Sequence, residues 1–206
     1  MPHRYAELMF TPDVLAMQTH YSAALDMARY RDDNGPFDRL SETEANFIAR
    51  RDSFYQASVS ETGWPYLQHR GGPAGFLKVL DARRLAYADF RGNRQYISAG
   101  NLVGNDRVAL FLVDYQNRRR LKILGRMKLV DVAEADETLV AALRPYPYRA
   151  AMERIAMIAV EAYDWNCSQH ITPRYTETQL RGAVEPLYER IARLEAELAE
   201  LRGRAI

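Results

Sequence analysis

Pro65-Tyr-Leu-Gln-His-Arg-Gly-Gly-Pro-Ala-Gly-Phe-Leu-Lys-Val-Leu-Asp81, followed by Leu85-Ala-Tyr-Ala-Asp-Phe-Arg-Gly-Asn-Arg-Gln-Tyr96, decides how the rest of the chain is read. Two apolar strands lead into a polar knot, Arg91-Gly-Asn-Arg-Gln95, placed where a strand ends and a helix begins. Backbone N–H groups at a helix start are unpaired and carry partial positive charge, so they attract anions. Two arginines and two side-chain amides at such a point suit a phosphate, with Arg able to bind in bidentate fashion. Lys78 lies on the preceding strand and adds a cation to the same neighbourhood. The same five residues also read as a solvated turn with an Asn N-cap.

Outward from this stretch, strand signals recur at short spacing. Ser53–Ser60 is rich in Phe, Tyr and Val and ends in the hairpin turn Glu61-Thr-Gly-Trp64. Pro65–Arg70 is the second strand, Gly71–Gly75 interrupts it, and Phe76–Leu80 resumes it. Those glycines let the backbone approach something closely, or form a bulge. Leu85–Phe90 is the next strand and Tyr96–Val103 a short helix. Val108–Asp114 and Arg120–Val130 are two more strands. Ala133–Arg144 reads as a helix ended by Pro145 and Pro147, and Arg154–Trp165 as a last strand. Six or so short strands with few helices predict a small closed barrel, mainly β in an α+β fold.

The flanks differ from this core. Thr11-Pro-Asp-Val14 opens like a helix running to about Arg29, with Thr11 as N-cap and Pro12 at the first helical position. Asp32–Pro36 is a loop. Ser41-Glu-Thr-Glu44 is a capping box opening a helix to about Asp52. After Thr176, Leu187, Ile191, Leu194, Leu198 and Leu201 repeat at steps of four and three. That stripe suits a second helix better than a broad globular face, so a coiled coil with a partner chain is expected, with packing on its own barrel the alternative. The expected divisions are an N-terminal helical extension over residues 1–40, a barrel over 41–176 and a heptad helix over 177–206.

Composition bounds the function. The 206 residues carry 28 basic and 27 acidic side chains, net +1, so no general field draws nucleic acid or an anionic membrane. The single cysteine, Cys167, excludes an intramolecular disulfide and suits a reducing cytoplasm. Met1-Pro-His-Arg-Tyr5 lacks a signal-peptide apolar region, and no apolar run approaches a membrane span. Cys167 and His170 are too few for a zinc site. No Ser-His-Asp order, paired-carboxylate motif or Gly-x-Gly-x-x-Gly occurs, so any chemistry is expected to come from a cofactor.

The ordered set of strand with basic residues, hairpin, Arg91-Gly-Asn-Arg-Gln95, short helix and Asn105-Asp-Arg-Val-Ala-Leu-Phe111 resembles the pyridoxamine 5′-phosphate oxidase-related family from about Ser41 to about Thr176. The resemblance implies an FMN-binding split β-barrel, a homodimer with FMN in clefts between subunits, and a flavin-dependent oxidoreductase acting on a small molecule. A non-catalytic flavin carrier or sensor is the alternative. Carried over by motif, the phosphate ligands are Lys78, Asn93, Arg94 and Gln95, with Arg70 as the earlier strand cation and Gln68 or His69 in its place if the glycines shift the spacing. Gln95 replaces a cation. Arg120 stands where the family places a glutamine near the flavin ring, and its charge would favour the anionic reduced flavin. Trp165 and Arg174 correspond to an FMN-contacting Trp and Arg of the second subunit, and also read as a core Trp and a surface-loop residue. Arg144–Arg149 lacks the oxidases' arrangement for a pyridoxine phosphate, which argues against that substrate.

Overall fold

The Ser41 capping box forms as its sequence spacing predicts. The Ser41 hydroxyl accepts from Thr43 N at 3.1 Å, and Glu44 Oε2 accepts from Ser41 N at 2.9 Å. In the computed structural model, which describes residues 3–23, 30, 35, 37–144, 148–166 and 169–204, this box opens helix α3 (Glu42–Ala49). Before it come α1 (Arg4–Met9) and α2 (Pro12–His20). Strands β1 (Ser53–Val59), β2 (Pro65–Gly71), β3 (Lys78–Asp81) and β4 (Arg84–Phe90) follow. Next come α4 (Ile97–Gly104), β5 (Arg107–Asp114), β6 (Arg119–Asp131), α5 (Glu137–Leu143), β7 (Met152–Asn166) and α6 (Glu177–Arg204).

The strands form one antiparallel sheet in the order β2-β1-β5-β6-β7-β4-β3. In a flat sheet β1 and β4, four places apart, would be separated by about 19 Å. Yet the Tyr87 hydroxyl on β4 donates to Gln56 Oε1 on β1 at 2.7 Å, and Arg70 Nη1 on β2 donates to Asp89 Oδ1 on β4 at 2.9 Å. The sheet therefore curls until its two ends face each other. Phe54, Tyr87, Leu110, Leu112, Ile123 and Ile158 fill the space it encloses. No ladder joins β2 to β3 among the described residues, so the barrel is split rather than closed.

The structure corrects several expectations. Phe76–Leu80 does not resume the second strand. Gly72 N donates to Asp52 O and Gly75 N to Arg51 O, both at 2.9 Å, which ties the glycine segment to the end of α3. Gly75 has φ +76°, and a Cβ there would lie 2.9 Å from Ala49 O, so the close approach is to the protein's own backbone. The chain then crosses to the far end of the sheet, where β3 pairs with β4. The helix expected from Ala133 begins later. Val132–Glu134 is a 3₁₀ turn, and Asp136 caps α5 by accepting from Leu139 N at 3.0 Å. Pro145 and Pro147 lie outside the described residues. Helix α2 starts at Pro12 with Thr11 as N-cap, as expected, and ends at His20; the expected continuation over residues 24–29 and most of the Asp32–Pro36 loop lie outside the described residues. Helix α1, unforeseen in the sequence, buries Tyr5.

The chain divides into two units, one of residues 1–114 and 119–168 and one of residues 115–118 and 169–206. The first holds the sheet and α1–α5. In the second, Thr176 and Gln179 bond reciprocally, Thr176 N to Oε1 at 2.9 Å and Gln179 N to Oγ1 at 3.3 Å, and so open α6. None of the described helices is long and apolar enough to cross a membrane.

Candidate functional site

The polar knot is a strained loop pinned at both ends. Arg94 (φ 63°) and Tyr96 (φ 53°) both lie in the left-handed region, which costs a non-glycine residue about 1–3 kcal/mol. Asn93 Oδ1 accepts from Gln95 N at 3.2 Å, closing an Asx turn. On one side Arg91 N donates to Ala151 O at 2.9 Å and Arg91 Nε to Glu153 Oε1 at 2.8 Å. On the other, the Tyr96 hydroxyl lies 3.3 Å from both Glu153 oxygens. The Arg91 hydrogen bond holds the Glu153 carboxyl below its usual range, against the opposing pull of burial. Tyr96 is the N-cap of α4 and makes no side-chain cap, so it leaves the N–H groups of that first turn to other partners. Asn93 is therefore not the N-cap; it braces the loop before the helix.

Behind the loop, Asp89 on β4 is buried and holds two arginines. Arg70 Nη1 reaches Asp89 Oδ1 at 2.9 Å, and Arg154 donates from Nε at 3.0 Å and Nη2 at 2.7 Å to Oδ2. Arg154 on β7 is the ladder partner of Asp89, and its guanidinium also stands 4.9 Å over the Tyr96 ring. Arg70 Nε is buried without a hydrogen-bond partner. One aspartate thus aligns two guanidinium groups side by side and neutralises only one of them.

These groups meet in a cleft of ≈50 Å³, open to solvent. Of the residues singled out in the sequence, Arg70, Asn93, Arg94 and Gln95 line it together, with Gln68 beside them. Ser98 Oγ of α4 donates to Gln68 Oε1 at 2.9 Å. Ile97, Leu102, Met127 and Leu129 supply an apolar wall. The other candidates stand elsewhere. Lys78 is exposed on β3 and does not line the cleft. Arg120 lies on β6 opposite Val113 and Asn166, its Nε buried without a partner, also outside the cleft lining. Trp165 packs under α3, with Nε1 donating to Glu44 Oε1 at 2.7 Å and its ring 4.8 Å from Phe47. Arg174 belongs to the second unit, 4.8 Å over the Tyr115 ring. Cys167 and Tyr146 lie outside the described residues, and among those described no His, Cys, Asp and Glu group could hold a metal ion.

Sequence reasoning passed over Asp89, Glu153 and Arg154. A charged residue inside the apolar run Leu85–Phe90 was the available signal for Asp89. Arg154 becomes its partner only through the β4–β7 register.

The pyridoxamine 5′-phosphate oxidase family model matches residues 40–166, more than half of the chain. The chain belongs to the pyridoxamine 5′-phosphate oxidase family. Solved structures of similar chains include HupZ of Group A Streptococcus, with 14% identity over 66% of this chain and 99% of that one, TM-score 0.48. An FMN-binding protein from Syntrophomonas wolfei has 10% identity over 74% and 97%, TM-score 0.47. General Stress Protein 26 from Bacillus anthracis has 12% identity over 59% and 89%, TM-score 0.45. No curated protein matches the chain.

Proposed function

We propose that the cleft binds FMN and that the protein is a flavin-dependent oxidoreductase of the cytoplasm acting on a small molecule. The observation that carries this reading is the meeting of Arg94, the start of α4 and the partnerless Arg70 Nε in one cleft beside an apolar wall. A flavin mononucleotide has the matching halves, a dianionic phosphate and a flat, largely apolar ring. The charge fits as well. Arg70, Arg91, Arg94 and Arg154 stand against only two carboxylates, Asp89 and Glu153, in and beside the cleft.

Bound FMN supplies two-electron transfer, which no side chain here provides. The chain's own residues do the rest. Arg94 and the N–H groups of Ile97 and Ser98 hold the phosphate. The Glu153 bonds to Arg91 and Tyr96 keep the loop in its strained form, so little ordering is left for binding. Ile97, Leu102, Met127 and Leu129 exclude water from one side. In this reading a second copy covers the open side of the cleft, giving a homodimer with two sites.

The absorbance spectrum and mass of the molecule that co-purifies test the cofactor. A flavin spectrum with the mass of FMN supports the reading; a colourless protein that takes up no FMN on titration overturns it. Reduction of the bound flavin by NADH or NADPH, followed by reoxidation with an added acceptor, supports turnover. A flavin that binds but is reduced by neither leaves the carrier as the function.

A further inference from the structure

The cofactor cleft leaves α6 unused. Its apolar stripe is longer than the five residues first apparent. Leu180 and Val184 continue it backwards at the same steps, giving Leu180, Val184, Leu187, Ile191, Leu194, Leu198 and Leu201. All seven stand 36–61% exposed, and no residue of α6 is buried. We propose that α6 pairs with α6 of a second copy as a parallel, in-register, two-stranded coiled coil.

Three features select that partner and orientation. First, the heptad register places Val184, Ile191 and Leu198 at a and Leu180, Leu187, Leu194 and Leu201 at d. β-Branched residues at a, here Val184 and Ile191, with Leu at d favour parallel dimers. Second, the flanking charges are complementary to themselves. Arg190 at g faces Glu195 at e of the partner subunit, and Glu197 at g faces Arg202 at e of the partner subunit. Each pair occurs twice by symmetry, so all four contacts are attractive. Ala183 and Tyr188 make the remaining g–e′ pair, apolar and set beside the Val184 layer. A helix whose flanks match its own copy forms an isologous interface, in which the same patch serves on both subunits. Third, the residues that weaken the helix lie off the seam. Pro186, which lacks an N–H, falls at c, and Gly182 and Gly203 fall at f. At the two ends of the helix, Arg181 at e and Arg204 at g bond back to Glu177 and Glu200 one turn earlier, at 2.6 and 2.8 Å. Both pairs have Glu N-terminal to Arg, the favoured order.

Disulfide trapping in the full-length chain tests the pairing. With Cys167→Ser as background, Leu180→Cys and Leu201→Cys each place one thiol on the seam. In the parallel in-register pair each thiol meets its own counterpart, so each variant alone forms a covalent dimer. The two positions lie ~31 Å apart along the helix. A mixture of the two variants, one of them tagged, therefore yields no tagged–untagged disulfide. Mixed disulfides alone mean an antiparallel pair, and no disulfide at either position means no pair; either result overturns the proposal. The charge pattern gives a second reading. The equilibrium disulfide fraction of Leu201→Cys in a glutathione buffer reports on the helices themselves, whatever else joins the copies. Glu195→Arg lowers that equilibrium about tenfold by turning two attractive contacts into repulsions, and adding Arg190→Glu in the same chain restores it. A Glu195→Arg effect that Arg190→Glu does not reverse, or no effect at all, counts against the register.

Discussion

At the scale of single residues, Arg94 carries two opposed demands. Its side chain lines the cleft, while its backbone sits at φ 63°, where a glycine would be at ease. Two substitutions separate them. Arg94→Ala removes the guanidinium and keeps the strain, so FMN affinity falls about 10–100-fold with the fold intact. Arg94→Gly loses the same affinity and also relieves the backbone, raising the stability of the flavin-free protein by up to about 1 kcal/mol. Titration with FMN and denaturant unfolding of both variants check this; unchanged affinity in either removes Arg94 from the phosphate site. Asp89 is the opposite case, a residue whose removal harms the fold first. Asp89→Ala leaves Arg70, under 20% exposed, without its counter-charge, and leaves Arg154 only the Glu153 carboxylate at 3.8 Å. Partial solvent access trims the cost of a broken buried pair to roughly 2–4 kcal/mol. A loss of unfolding free energy below about 0.5 kcal/mol in denaturant titration would show that solvent already screens these charges.

At the scale of elements, α3 is fastened to the sheet through one carboxylate. Burial works to raise the Glu44 carboxyl, but the Ser41 hydroxyl and the Trp165 and Ser41 N–H groups outweigh it and hold it below the ordinary 4.5. A depressed folded-state pKa gives stability that is complete above the ordinary value and is lost as pH falls through the folded value. Glu44→Gln should therefore cost about 1–2 kcal/mol at neutral pH, and the gap to the parent should narrow below pH 4.5, as melting curves across that range will show. A gap independent of pH would mean that packing, not charge, fastens the helix. The same residues show how far the sequence can be read. The capping box at Ser41 was legible because its partners lie three residues apart. The bond from Glu44 to Trp165 spans 121 residues and depends on the β6–β7 ladder, so Trp165 offered only its aromatic character. The strands were legible as apolar runs with hairpin turns between them. The crossing of the chain after Gly75 was not, because a strand that breaks and resumes and two strands at opposite ends of a sheet share one local pattern. The loop Arg91–Tyr96 announced itself through four polar residues in sequence. Its companions Asp89 and Arg154 did not, because they meet only through the β4–β7 register.

At the scale of the whole molecule, the cofactor site and the proposed coil lie in different parts of the chain. The cleft is built by residues 66–154 and owes nothing to α6. No residue of α6 is buried. Truncation after Thr176 should then leave a folded protein that still binds FMN, with an unfolding midpoint close to that of the full chain. What it should lose is dimer strength. Burying a large apolar side chain is worth about 1.5–3 kcal/mol, and the seam has seven, but ordering two long helices offsets much of that. A 28-residue helix containing Gly182 and Pro186 is also a modest helix on its own. The net effect expected is a dimer dissociation constant raised by one to several powers of ten rather than an obligate monomer, because the cleft keeps its own proposed interface. Flavin retention on dilution connects the two. If each cleft is completed by a second copy, the truncated protein should release FMN at a protein concentration where the full chain still holds it. Sedimentation equilibrium on both forms, with flavin absorbance followed across the same concentrations, decides the matter. Equal dimer constants would remove α6 from the assembly, and FMN held by a demonstrable monomer would remove the second copy from the site.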